Sequence, residues 1–260
     1  MNTEISSVVC RSLTDLIAAH AACWTKWRTG IWCRGHNKAS WELQPSTFRE
    51  FGPDPLPEVN AFQSFRSEAT ALLSMPPDPD DFVSWLATMQ HYGLPTRLLD
   101  WSLSLAVAIY FSCDDESMWT QDGAVWLLHP GLLNKQFSGY QSVLPADHVN
   151  VLTLAANAAS CEPHTDKVAA FIPFRRSGRM SDQDAAFTIH GGPELLNTPL
   201  RASEYLQKLV IPASAKESLA SDLSSLGLTR SMWFRDVGEV AAEIRKSIKR
   251  SIAANGWKRR

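Results

Sequence analysis

Apolar residues recur every three or four positions over residues 12–27, at Leu13, Leu16, Ile17, Ala21 and Trp24. That spacing predicts a helix with one buried face, and Ser12 stands where a capping residue belongs. Residues 31–34 follow as a short apolar strand closed by Gly35, then a polar loop runs to Pro45 and a proline-rich break occupies 52–57. A second amphipathic helix is expected over 59–73, with Phe62, Phe65, Ala69 and Leu72 on one side. A third, capped by Asp80 or Asp81, carries the stripe Phe82, Trp85, Leu86 and Met89.

Beyond Trp101 the pattern changes to runs of small and apolar residues. Residues 105–111 read as a buried helix and 123–128 as a buried strand. The Ala- and Asn-rich stretch 132–170 has little period and is expected to be helix and loop. Residues 171–174, 185–190 and 206–211 are strand candidates, the last stopped by Pro212. A helix over 215–226 closes at Gly227, the residue type that accepts a left-handed C-terminal turn, and residues 237–252 form the last helix. Strands separated by helices along the whole length predict one mixed α/β (α+β) domain spanning residues 1–260, a small central sheet flanked by helices.

Composition narrows the class. At 260 residues and 45% hydrophobic, the chain is long enough to bury a sizeable core. The formal charge of −2 gives no general attraction to nucleic acid or anionic membrane. No run of apolar residues is long enough to span a bilayer, and the N-terminus lacks the pattern of a secretory signal. The five cysteines are scattered, with no CxxC pair and no neighbouring His/Cys cluster, so the expectation is reduced thiols in a cytoplasmic protein and no metal. Ten tryptophans are many for this length; Trp32, Trp41 and Trp101 adjoin polar residues, and a minority of the set is expected to line a cleft. One basic cluster exists, Arg245, Lys246, Lys249 and Arg250 with Lys258, Arg259 and Arg260. It reads as a solvated helix face, with contact to nucleic acid phosphates as the alternative.

Trp32-Cys33-Arg34-Gly35-His36 resembles the opening strand of the FRG domain, with Cys33 where an aromatic residue is more usual, and Leu43-Gln44-Pro45-Ser46-Thr47-Phe48-Arg49 matches the segment after it. The most specific block runs through Gln90-His91-Tyr92-Gly93-Leu94-Pro95-Thr96-Arg97-Leu98-Leu99-Asp100-Trp101 into the small-residue helix. Arg179-Met180 with Gln183 and Phe187-Thr188-Ile189-His190 looks like the late block, although Asp184-Ala185-Ala186 stands where a glycine is usual. The resemblance extends over about 24–248. The family name implies no reaction.

The polar residues of these blocks carry the candidate chemistry. Arg34 ends an apolar strand, where a guanidinium is costly unless paired. Its partner is either an internal carboxylate such as Asp100 or a ligand phosphate. Its planar fork suits a diphosphate, and Gly35 beside it lets a backbone or ligand come close. Arg97, next to Asp100 in a tight segment, is expected to form a structural ion pair with it, and Asp100 to cap the turn into the small-residue helix. Gln90, His91 and Tyr92 form a polar cluster at a helix end, where binding sites are commonly built.

The order of elements also resembles the ADP-ribosyltransferase plan: an Arg or His on an early strand, a hydroxyl residue on a middle strand and a Glu on a late one. That likeness implies NAD as the substrate or cofactor, with Arg34 at the diphosphate, Thr96 (or Ser102) at the ribose, and Gln183 at the 2′-hydroxyl. Gln183 departs from the plan, because a glutamine lacks the charge of a Glu; Asp182 or Asp184 replaces it only if the strand register turns one inward. The functions expected are therefore an NAD-using ADP-ribosyltransferase or NAD-hydrolysing enzyme, or a non-catalytic nucleotide-sensing or protein-interaction module. In the first two, a nucleotide-type small molecule occupies a cleft around Arg34.

Overall fold

The computed structural model describes residues 5–173, 185–198 and 201–229, with single positions between 232 and 252. The first helix, α1 (Leu13–Trp27), begins as its sequence dictates. The Ser12 hydroxyl accepts the Asp15 N–H, and the Asp15 carboxylate returns to the Ser12 N–H, a reciprocal cap on two otherwise unpaired donors. A strand, β1 (Ser7–Val9), precedes it, and β2 (Trp32–His36), α2 (Ser46–Phe51), α3 (Leu56–Ala69) and α4 (Phe82–His91) follow. Asp81 caps α4, accepting the Ser84 N–H at 3.0 Å. Then come β3 (Leu98–Ser102), α5 (Leu105–Cys113), β4 (Gly123–Leu128), α6 (Pro130–Ser138), β5 (Leu144–Pro145), α7 (Val149–Ala156), β6 (Val168–Ile172), β7 (Ala185–His190), α8 (Ala202–Tyr205), β8 (Leu206–Ile211) and α9 (Ala213–Ser225).

The strands make one sheet in the order β1-β8-β4-β2-β3-β7-β6-β5, so the fold is mixed α/β, as the alternation of elements implies. Side chains alternate across a strand, and the register sorts them into two faces. On one face Cys33, Val125, Leu127, Leu209 and Ile211 pack under α1, α5 and α9. Further along that face Leu98, Ala169, Phe171, Phe187 and Ile189 pack under α3, α4 and α7. The opposite face is aromatic, with Trp32, Trp101 and Trp126 buried against Leu43, Leu133 and Tyr205. The two helix groups on the first face leave the middle of the sheet between them.

Several boundaries differ from the sequence expectation, each for a local reason. Helix α3 starts at Leu56 because Pro57 is in its first turn, where a missing N–H costs nothing; the proline that reads as a break is a start. The helix accordingly ends at Ala69, and Leu72 is exposed rather than part of the stripe. The strand expected at 171–174 lies at Val168–Ile172. Its Ala170 is bracketed by the buried Asn134, which donates to the Ala170 carbonyl at 2.8 Å and accepts from its N–H at 2.7 Å. Most of the expected helix at 237–252, and most of its basic cluster, lies outside the described residues.

Gly35 does not end β2, which continues to His36. A Cβ at position 35 would lie 2.0 Å from the Ala108 carbonyl oxygen and 2.9 Å from the Ser112 nitrogen. The glycine is required by the closeness of α5.

Arg97 is buried and does not pair with Asp100. Its Nε and Nη2 donate to the two carboxylate oxygens of Glu58, at 3.2 and 2.6 Å. Its remaining donors reach the Leu154 carbonyl at 3.1 Å and the Asn157 carbonyl at 3.3 Å. One guanidinium thus joins the start of β3 to α3, α7 and the turn after it. Glu58→Ala leaves that cation buried and unpaired, so chemical denaturation should show a loss of about 3–5 kcal/mol. Replacing Glu58 and Arg97 together by Met should recover much of it; a double variant no more stable than Glu58→Ala would contradict this account of the penalty. Gly35→Ala should also lower the denaturation midpoint, by about 1–3 kcal/mol in stability, because backbone atoms of α5 must move.

Candidate functional site

A cleft of about 590 Å³ opens where the sheet face is left uncovered. Helix α4 contributes Ala87, Gln90 and His91 to one wall, and α5 contributes Val107, Ala108 and Phe111 to the other. The floor is unusual. Strands β2 and β3 pair at a single position, Cys33 opposite Ser102, whereas β2 pairs with β4, and β3 with β7, over five positions each. Consecutive residues Cys33 to His36, and Asp100 to Ser102, all line the cleft. Neighbours on a strand face opposite ways, so this lining requires that the two strands part beyond the Cys33–Ser102 position.

Arg34 spans that split. Its Nη1 donates to the Asp100 carbonyl oxygen at 2.7 Å, in place of a ladder hydrogen bond, and lies 3.7 Å from the Asp100 carboxylate. Its Nε donates to His36 Nε2 at 3.1 Å. No partner for Nη2 exists among the described residues. Burial lowers the Arg34 pKa most; Asp100 opposes that shift and the positive charge of Arg49 adds to it. Arg34 is therefore bound within the fold, as one reading of the sequence has it, and also lines the cleft.

The expected site residues divide. Arg34, Gly35, Gln90 and His91 line the cleft. Gly35 does so with α5 packed on it, so its missing side chain admits a helix and not a ligand. Thr96 is fully buried; its hydroxyl donates to the Gln90 side chain and accepts the Leu98 N–H at 3.2 Å. It holds Gln90 from behind and cannot touch a ligand, which overturns its expected contact with ribose. Tyr92 is exposed, with its ring 6.2 Å from that of Phe65, and is not part of the cleft. Asp100 pairs with Arg34 rather than Arg97, and its carboxylate stays more than half exposed. It is not the cap of α5, whose N-cap position is Ser104; there Ser102 accepts the Ser104 N–H at 3.0 Å. Gln183 and Asp184, with Asp182, lie outside the described residues; Ala185, which follows them, lines the cleft opposite Ser102 in register.

Sequence reasoning assigned no role to Asn37, Arg49 or Asp114, and named Trp41 only within the set of tryptophans of which a minority was expected to line a cleft; all four line it. Asn37 donates to Asp114 at 2.7 Å, tying the end of β2 to the end of α5. The signal for Arg49 was present, since it closes the second family block. Cys33 reaches the cleft, but burial pushes its thiol up to about 12, so it is no nucleophile there.

Residues 29–120 match the family model of the FRG domain. Over that stretch, about a third of its length, the chain is similar to the FRG domain. The match takes in the split strand pair, α4 and α5, and so every cleft residue except Ala185 and Phe187. No curated protein and no solved structure matches the chain. No helix among the described residues is long and apolar enough to cross a membrane.

Two buried histidines make this region acid-sensitive. His36 is lowered to about 3 by burial and by the charges of Arg34, Arg49 and Lys208, and His190 to about 3 by burial and by Arg97 and Arg34. A depressed histidine binds its proton more readily when unfolded. The stability it contributes is complete above the unfolded value near 6.5 and is lost as pH falls towards 3. Each should add a slope of up to ~1.4 kcal/mol per pH unit in that window. Urea denaturation from pH 7 to 4.5 should show the fall, and His36→Gln, which retains an acceptor for Arg34, should make it shallower. An unchanged slope in that variant would contradict the shift.

Proposed function

We propose that the protein is an NAD-using enzyme of the ADP-ribosyltransferase type, transferring ADP-ribose or hydrolysing NAD in the cleft over the split strands. The observation that carries this reading is the side-by-side order of three strands. β2 brings Arg34 to the cleft, β3 brings Ser102, and β7 begins opposite Ser102, directly after Gln183 and Asp184. Ser102, not Thr96, is the hydroxyl of the middle strand that a ribose would meet. Arg34 offers the diphosphate a cation with a planar fork.

In this reaction the bond between nicotinamide and its ribose breaks, and the electron pair leaves with nicotinamide. The ribose becomes cationic until water or an acceptor adds and gives up a proton. On the transferase plan the late-strand position falls to Gln183, a residue type that carries no charge. The exposed carboxylate of Asp100 supplies negative charge on the same side of the sheet. A second reading, a non-catalytic nucleotide sensor, is favoured by one fact: the Asp100 charge is already shared with Arg34.

Incubation with NAD should release nicotinamide. Arg34→Lys retains charge without the fork and should weaken NAD binding about tenfold; Ser102→Ala and Asp100→Asn should lower turnover more than binding. A melting temperature raised by NAD without nicotinamide release would leave the sensor reading. No shift with NAD, ADP-ribose or ATP would overturn both and leave an interaction module.

A further inference from the structure

The cleft contains two groups that the NAD reading does not itself require, and they stand on the same side. Arg49, exposed on α2, lines the cleft with Arg34, and its charge depresses both Arg34 and His36. Trp41, on the loop between β2 and α2, is 40% exposed and lines the same cleft. Its ring meets His36 edge-on at 5.9 Å. His36 accepts from Arg34 Nε, so it is neutral and carries no charge to a ligand.

Two guanidinium groups that act on each other across a cleft are mutually repulsive until an anion lies between them. The nearby carboxylate, Asp100, sits at 3.7 Å from Arg34, at the long end of ion-pair distance, and pairs with one edge only. Among the described residues the corner therefore keeps unmet positive charge. A large aromatic left two-fifths exposed beside that charge offers a face to a flat, electron-rich ring.

We infer that the cleft recognises a nucleoside diphosphate moiety, with the diphosphate between Arg34 and Arg49 and the base stacked on Trp41. This rests on the proposed nucleotide function and assigns the two residues that select its ligand. Arg34 is the anchor, tied into the sheet. Arg49, on the exposed face of a short helix, is the arm that closes over the second phosphate. A diphosphate with a base should then bind better than diphosphate alone, and a monophosphate should lose the benefit of Arg49.

Calorimetric titration of the whole chain with inorganic pyrophosphate, AMP, ADP and ADP-ribose tests this. ADP should bind about tenfold more tightly than pyrophosphate, the order expected for stacking one base. Trp41→Ala should erase that difference, and Trp41→Phe should restore most of it. Arg49→Ala should weaken pyrophosphate and ADP about tenfold or more, but AMP much less, and Arg49→Lys should recover only part. Melting temperatures of the ligand-free Trp41 and Arg49 variants should stay near that of the parent, since both side chains are substantially exposed. If Arg34→Ala abolishes ADP binding while the Arg49 and Trp41 variants bind as the parent does, this assignment fails and the broader nucleotide reading stands. If none of the four probes binds the parent protein, both fail together.

Discussion

The buried ion pair between Arg97 and Glu58 is the constraint on which the rest of the architecture depends. Four donors of one guanidinium meet a carboxylate and two main-chain carbonyls with almost no access to water. Placing two charges in an apolar interior is tolerable only when their hydrogen-bonding capacity is met this fully. A lysine could not do it, because its point charge lacks the fork that spans both carboxylate oxygens. The pair fixes where β3 begins relative to α3 and α7. The strand that follows, buried at Leu98, Leu99, Trp101 and Ser102, must then present Asp100 at the split.

The split is the second organising feature. Most of the sheet is paired conventionally, yet its central strands touch at one position and then separate. Arg34 answers the resulting unpaired carbonyl with a side-chain donor. The same residue is thereby held in a defined place, with one edge used by the fold and another left for the cleft. This division of one side chain between scaffold and site explains why its sequence context admitted two readings. Alternatives that look exclusive along the chain become compatible once geometry separates the two sides of a guanidinium.

What the sequence disclosed follows a pattern. Elements with strong period or clear punctuation, such as α1 with Ser12, β4, β7 and β8, are legible because local propensity and burial agree there. Pro57 misled because proline marks both breaks and first turns. Thr96 looked chemical because it stands among polar residues, but a hydroxyl next to a buried arginine is just as easily consumed inside. The pairing of Arg97 was invisible, because Glu58 is 39 residues away and nothing in its neighbourhood distinguishes it from a solvated helix carboxylate. Trp41 and Arg49 belong to a loop and a short helix, where residue type suggests little until the fold brings them beside Arg34.

The contact at Gly35 has a consequence for how such a cleft can vary. The seating of its α5 wall on the strand floor is set where a strand backbone touches a helix backbone, with no side chain interposed. A boundary made of main-chain atoms does not change when side chains do. The lining at Trp41, Arg49, Gln90 and His91 can be exchanged without altering the mould that holds it. The fold thus separates the dimension of the opening from the identity of what it admits, and one rigid frame can serve ligands of different chemistry.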